Sequence, residues 1–119
     1  MSKYVDVYLL PIKEENIAEY KKIASKAGKV FMKNGAIRYR EYVASDLTNE
    51  FCVPFPKQIK LKPGETLVYA AVEFKSEAHR NKVMKKLYND PEMEASMPGE
   101  LPFDCKRMVY GGFKILVDL

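Results

Sequence analysis

One amphipathic stripe limits the architecture of this chain more than any other feature. Between Glu14 and Asn34, the residues Ile17, Tyr20, Ala24, Ala27 and Phe31 recur at helical spacing, and Ile23 and Val30 widen the same face. A long helix must therefore lay one side on a core. Glu14, Glu15 and Glu19 stand at its start and lysines gather at its end, which complements the helix dipole, and Asn34-Gly35 supplies a stop. On both sides of this segment the period changes to two. Over Tyr4–Leu10, Val5, Val7 and Leu9 alternate with Tyr4, Asp6 and Tyr8, and Pro11 is expected to end the strand. Further strands are expected over Ala36–Ala44, Thr66–Phe74 and Lys106–Val117. A second helix is expected over Ser76–Asn89, from an N-cap at Ser76 to a stop at Asp90-Pro91.

Strand, helix, strand, strand, helix, strand is the order of a ferredoxin-like α+β fold. Right-handed crossovers put both helices on one face of an antiparallel sheet. At 119 residues the chain is expected to form one domain over 1–119. Val68, Ala70, Val72 and Phe74, with Val109, Phe113, Ile115 and Val117, are the apolar candidates for the helix-covered face. The opposite face then carries Tyr4, Asp6, Tyr8, Leu67, Tyr69, Glu73, Met108 and Tyr110. That set is too aromatic to lie bare and too polar for an ordinary core, so it is expected to pair with a second copy of the chain. The second strand reads either way: Arg38, Arg40 and Tyr42, or Tyr39, Glu41 and Val43, face the interior of such a pair. The stretch Ser45–Gly64, about twenty residues with Pro54-Phe55-Pro56 and Lys62-Pro63-Gly64, is long for a loop. It reads as a lid, a dimer arm or a carrier of short helical turns.

Several function classes are disfavoured. No run approaches the roughly 18 apolar residues of a membrane span, and Met1-Ser2-Lys3-Tyr4 does not open a signal peptide, so a cytoplasmic location without membrane contact is expected. Cys52 and Cys105 are distant in sequence and read as free thiols of a reducing compartment. The net charge of +4 invites a nucleic-acid reading. The lysines argue against it: Lys22, Lys26, Lys29 and Lys33, and again Lys82, Lys85 and Lys86, fall on solvated helix faces. RNA-recognition domains share this order of elements, yet here Tyr69 is followed by Ala71 where a second stacking ring belongs.

Single residues carry the remaining signal. His79 is the only histidine, which excludes two-histidine and three-histidine metal sites within one chain, and no metal or cofactor motif is read. It is either a structural residue at a helix start or a ligand contact. Asp6, Glu41 and His79 are the candidates for acid–base chemistry. Arg40 and Arg107 are candidates to hold an anion, or simply to pair with carboxylates. Tyr8, Tyr69 and Tyr110 are expected to line a small-molecule pocket under Ser45–Gly64, against the alternative that they only fill a dimer interface. Gly111-Gly112 within a strand marks a bulge or a close approach.

Several runs carry a resemblance: Lys3-Tyr4-Val5-Asp6, Tyr39-Arg40-Glu41, Phe55-Pro56-Lys57, Lys75-Ser76-Glu77-Ala78-His79-Arg80, Pro102-Phe103-Asp104, and Lys106-Arg107-Met108-Val109-Tyr110-Gly111-Gly112-Phe113. Together they resemble the YbaA-like family of uncharacterised bacterial proteins over nearly the whole chain. Cys105 stands where that pattern has glycine. The resemblance implies a dimeric α+β barrel, in which two sheets close face to face, and no known reaction. The barrel architecture is shared more distantly by cofactor-free monooxygenases of antibiotic biosynthesis and by haem-degrading enzymes. The latter use an Asn, Trp and His constellation, and this chain has no tryptophan. A small-molecule-binding homodimer, as a cofactor-independent oxygenase-like enzyme or as a non-catalytic binding or protein-interaction module, is the resulting expectation.

Overall fold

A computed structural model describes residues 3–97 and 99–119. Its elements are β1 (Tyr4–Lys13), a 3-10 turn (Glu14–Asn16), α1 (Ile17–Lys33), β2 (Arg38–Val43), α2 (Phe55–Ile59), β3 (Glu65–Phe74), α3 (Glu77–Tyr88), α4 (Pro91–Ser96), a second 3-10 turn (Cys105–Arg107) and β4 (Val109–Lys114). The four strands form one sheet in the order β2-β3-β1-β4, and every pairing is antiparallel. Val30 and Phe31 of α1 and Val83 and Leu87 of α3 share one core cluster with Tyr4, Val72 and Phe74, so both long helices cover the same face. This is the ferredoxin-like α+β architecture that the order of periodicities implies.

The ends of the elements follow local chemistry. Helix α1 stops where Gly35 takes φ +111 and the Ala36 N–H donates to the Phe31 carbonyl. Helix α3 is capped by Ser76, whose hydroxyl accepts from the His79 N–H. Helix α3 ends as expected, at Tyr88 with Asn89 as its C-cap; the Asp90 carboxylate then caps α4, and Pro91 occupies the first turn of that helix, where a missing N–H costs nothing. The Ser45–Gly64 segment proves to carry a short helix, α2.

Strand β1 runs through Pro11, contrary to the expected stop at Leu10. Strand β4 pairs only with Tyr4–Leu9, so at Pro11 the strand has a partner on one side alone, where a residue lacking an N–H is tolerated. This extension decides the parity of the whole strand. With Ile12 included, the even set Tyr4, Asp6, Tyr8, Leu10 and Ile12 faces the helices, and Leu10 and Ile12 are buried with Val68, Tyr20 and Ala24. The expected facing of β1 is thus reversed. The register Tyr8↔Tyr110 reverses β4 as well: Tyr110 and Gly112 are on the helix side of the sheet, where Tyr110 at this edge strand is still 49% exposed, while Val109 and Phe113 lie on the open face. Only β3 faces as expected.

The open face is accordingly more apolar than the sequence reading implied. It carries Val5, Val7 and Leu9 from β1, Tyr69 and Ala71 from β3, and Val109 and Phe113 from β4, with Arg38, Arg40 and Tyr42 along edge strand β2. Tyr42, Val109 and Phe113 are each about half exposed.

Candidate functional site

On the helix-covered face, one row of opposed residues crosses all four strands: Glu41, Ala70, Tyr8 and Tyr110. It falls between two separate apolar clusters, one around Phe74 and the other around Ile12. The core is divided by a band of phenols and carboxylates. Each end of the band is a distinct polar group.

At the β4 end, Asp6 is 1% exposed, a position a carboxylate occupies only with partners. The Tyr110 hydroxyl donates to its Oδ1 at 2.9 Å, and Arg80 Nε lies 3.8 Å from the same oxygen. The Arg80 guanidinium is shared, because its Nη2 donates to the Tyr4 hydroxyl at 2.9 Å and its Cζ lies 5.2 Å from the Tyr4 ring centroid. Nε itself is buried without a hydrogen-bond partner. Gly112 permits the arrangement, since a Cβ there would collide with the Tyr4 hydroxyl. The close approach read from Gly111-Gly112 is therefore real at Gly112. Burial is the main cause that raises the Asp6 pKa, opposed by the Tyr110 hydrogen bond and by Arg80. The Tyr110 hydroxyl is pushed up to about 12 by burial and then by its bond to Asp6. Tyr8, stacked 4.9 Å from Tyr110, is raised by burial and then by the Asp6 charge. Both phenols stay protonated at neutral pH, and Tyr110 is the one that donates to Asp6.

At the β2 end, Tyr20 donates to one oxygen of Glu41 and Tyr39 to the other. Burial, then the bond to Glu41, raises Tyr20; burial, then the Glu41 charge, raises Tyr39; both stay protonated donors. Gly28 is what lets the Tyr39 ring lie across α1, because a Cβ at that position would be 2.6 Å from Tyr39 Cδ1. Small residues Ala24 and Gly28 leave the space between α1 and β2 unfilled. The result is a groove of about 830 Å³, with Ile17, Tyr20, Ala24, Tyr39, Val43 and Val68 among its walls and Glu41 as its one acidic residue. That volume is in the range of small-molecule sites.

The residues singled out from the sequence separate into groups. Asp6, Tyr8 and Tyr110 come together, and Glu41 sits in the groove. Tyr69 does not join them: it lies on the open face beside Tyr42, with ring centroids 5.5 Å apart. The expected three-tyrosine pocket is thus divided by the sheet, and no residue of Ser45–Gly64 lines the groove. Arg40 is exposed on the open face and makes no ion pair among the described residues. Arg107 forms a bidentate pair with Glu65 (2.6 and 2.8 Å) and also donates to the Lys60 carbonyl, pinning the start of β3. Those bonds hold Glu65 down at about 2. They leave Arg107 no free fork for a ligand. His79 Nδ1 accepts from the Lys75 N–H at 3.0 Å, which spends its lone pair on the start of α3.

Sequence reasoning missed Tyr4, Tyr20 and Tyr39 as polar partners, and Arg80 altogether. Tyr4, Asp6, Tyr39, Glu41, Arg80, Tyr110 and Gly112 all belong to the runs that carry the family resemblance. Membership of those runs was the signal the sequence offered; their convergence on one face is seen only in the fold.

Fold and site together define a ferredoxin-like α+β protein with a divided, tyrosine-rich core. A dimeric ferredoxin-like protein from an uncultured marine organism superposes over 100% of both chains with a TM-score of 0.62 at 8% identity, which speaks to the fold alone. The family model described as "Protein of unknown function (DUF1428)" matches residues 3–105, and the chain belongs to that family. The "Uncharacterized protein YbaA" of Escherichia coli strain K12 and that of Shigella flexneri are each 33% identical over 116 residues, 98% of this chain and 98% of theirs. Among the described residues no helix is long and apolar enough to cross a membrane.

Proposed function

We propose that this single-domain protein is a cytoplasmic homodimer that binds a small organic molecule in the groove between α1 and β2. The observation that carries the reading is the groove itself. Its walls are largely apolar, and its one carboxylate is held in place by two phenols while retaining acceptor capacity. A ligand with an apolar body and an N–H or O–H donor fits that chemistry. Self-association is supported by the exposed apolar residues of the open face and by the dimeric state of the structural neighbour. The exposed free cysteines Cys52 and Cys105 suit a reducing compartment. For a cofactor-independent enzyme acting in this groove, Glu41 is the acid–base group, with Tyr20 and Tyr39 as the donors that hold it.

N-phenyl-2-naphthylamine, a neutral apolar probe with one N–H donor, is expected to bind with a rise in fluorescence. Ser25→Trp, an exposed helical position on the groove edge, should abolish the rise while leaving the circular dichroism unchanged. Equal fluorescence with both proteins would place the probe elsewhere and remove the reading.

A further inference from the structure

We propose that the molecule taken by this groove is an organic anion, an apolar body bearing an acidic group that pairs with Lys21 and Lys29 at the rim. The assignment rests on the groove being a ligand site. Lys21, Ser25 and Lys29 are spaced four apart on α1, so they form one continuous edge of the opening. Neither lysine makes an ion pair among the described residues. Lys33, one turn further on, is by contrast engaged by Asp90 at 3.3 Å and Glu92 at 2.9 Å.

The groove therefore has a polarity. Inside, Glu41 repels an anion and offers acceptor oxygens, so the donor end of a ligand points inward. At the rim, two uncommitted cations await the opposite charge. An amphiphilic cation would satisfy Glu41 only after passing both lysines. The charge pattern selects an acid with its apolar body between Ala24, Tyr39 and Val68 and its acidic group at solvent.

A matched pair of probes tests this, since 6-anilino-2-naphthalenesulfonate is the neutral N-phenyl-2-naphthylamine with a sulfonate added at the far end of the ring system from the N–H. The anionic probe is expected to bind more tightly to the full-length protein, and its affinity should fall as salt is raised. Lys21→Glu/Lys29→Glu should weaken the sulfonate about tenfold, the effect of roughly two exposed pairs, and leave the neutral probe within about twofold. Lys21→Gln/Lys29→Gln should give an intermediate loss. If the neutral probe binds and Ser25→Trp blocks it, but the sulfonate is no tighter and ignores the lysine variants, the anion assignment is overturned and the groove reading stands. If Ser25→Trp displaces neither probe, both fall.

Discussion

Tyr69→Asp is expected to turn a dimer of twice 13.7 kDa into a monomer at micromolar concentration, as read by light scattering. Tyr69 is 39% exposed and sits on β3, an interior strand, in the open sheet face. In a free protomer an aspartate there points into water, so the fold tolerates it. In a face-to-face pair each protomer buries one such carboxylate without a partner, at a cost on the order of 3 kcal/mol apiece, about ten-thousandfold in the dissociation constant for the two together. Tyr69→Phe keeps the ring and should keep the dimer. A wild-type monomer at these concentrations would remove the paired-sheet proposal. A Tyr69→Asp variant that stayed dimeric would place the interface on another surface.

Arg80→Ala should be among the most destabilising single changes in the chain, by about 2–4 kcal/mol in denaturant unfolding at pH 7. The substitution leaves Asp6 buried with only the Tyr110 hydroxyl to support it and removes the donor to Tyr4. The loss stays below that of a fully enclosed pair because the Arg80 side chain remains 22% exposed. The pH dependence has a definite sign. Asp6 is raised in the folded protein, so the folded state binds its proton more readily than the unfolded chain, and stability falls as pH rises from about 3.8 through the folded value. Loss of the Arg80 charge moves that value further up. The penalty of Arg80→Ala should therefore be largest at neutral pH and shrink as pH falls through the folded value, where Asp6 takes up its proton. Asp6→Asn in the same background should recover most of the loss at pH 7. An Arg80→Ala penalty that is flat with pH would mean that packing against the Tyr4 ring, not charge, is what Arg80 supplies.

The element order was legible because it rests on periodicity: the Ile17–Phe31 stripe and the alternation on both sides of it leave few other arrangements. Facing was legible only for β3, where Val68, Val72 and Phe74 form an unmixed apolar set. In β1 the more apolar alternate, Val5, Val7 and Leu9, looked like the core side. The even set won because it continues into Leu10 and Ile12 and because its polar members find partners. Those partners are remote: Tyr110 is 104 residues from Asp6, and Arg80 is 76 from Tyr4. No local spacing announces such contacts, so Tyr4 and Asp6 read as part of the helix-free face that pairs with a second copy. The same limit applied to Arg107, whose partner Glu65 is 42 residues away, and to Tyr20, which reads as apolar stripe until Glu41 is placed opposite it. Glycine was the more informative residue. Gly112 records the Tyr4 hydroxyl and Gly28 the Tyr39 ring, each through a side chain that would not fit.

The division of labour between the two faces of the sheet is tested most directly by amide-resolved NMR of the labelled protein, titrated with N-phenyl-2-naphthylamine. Shift changes should be confined to Ile17–Met32, Tyr39–Val43 and Val68, around the groove, while Val5, Val7, Tyr69 and Phe113 on the open face stay still. Changes centred on the open face, or none at all, would contradict the account.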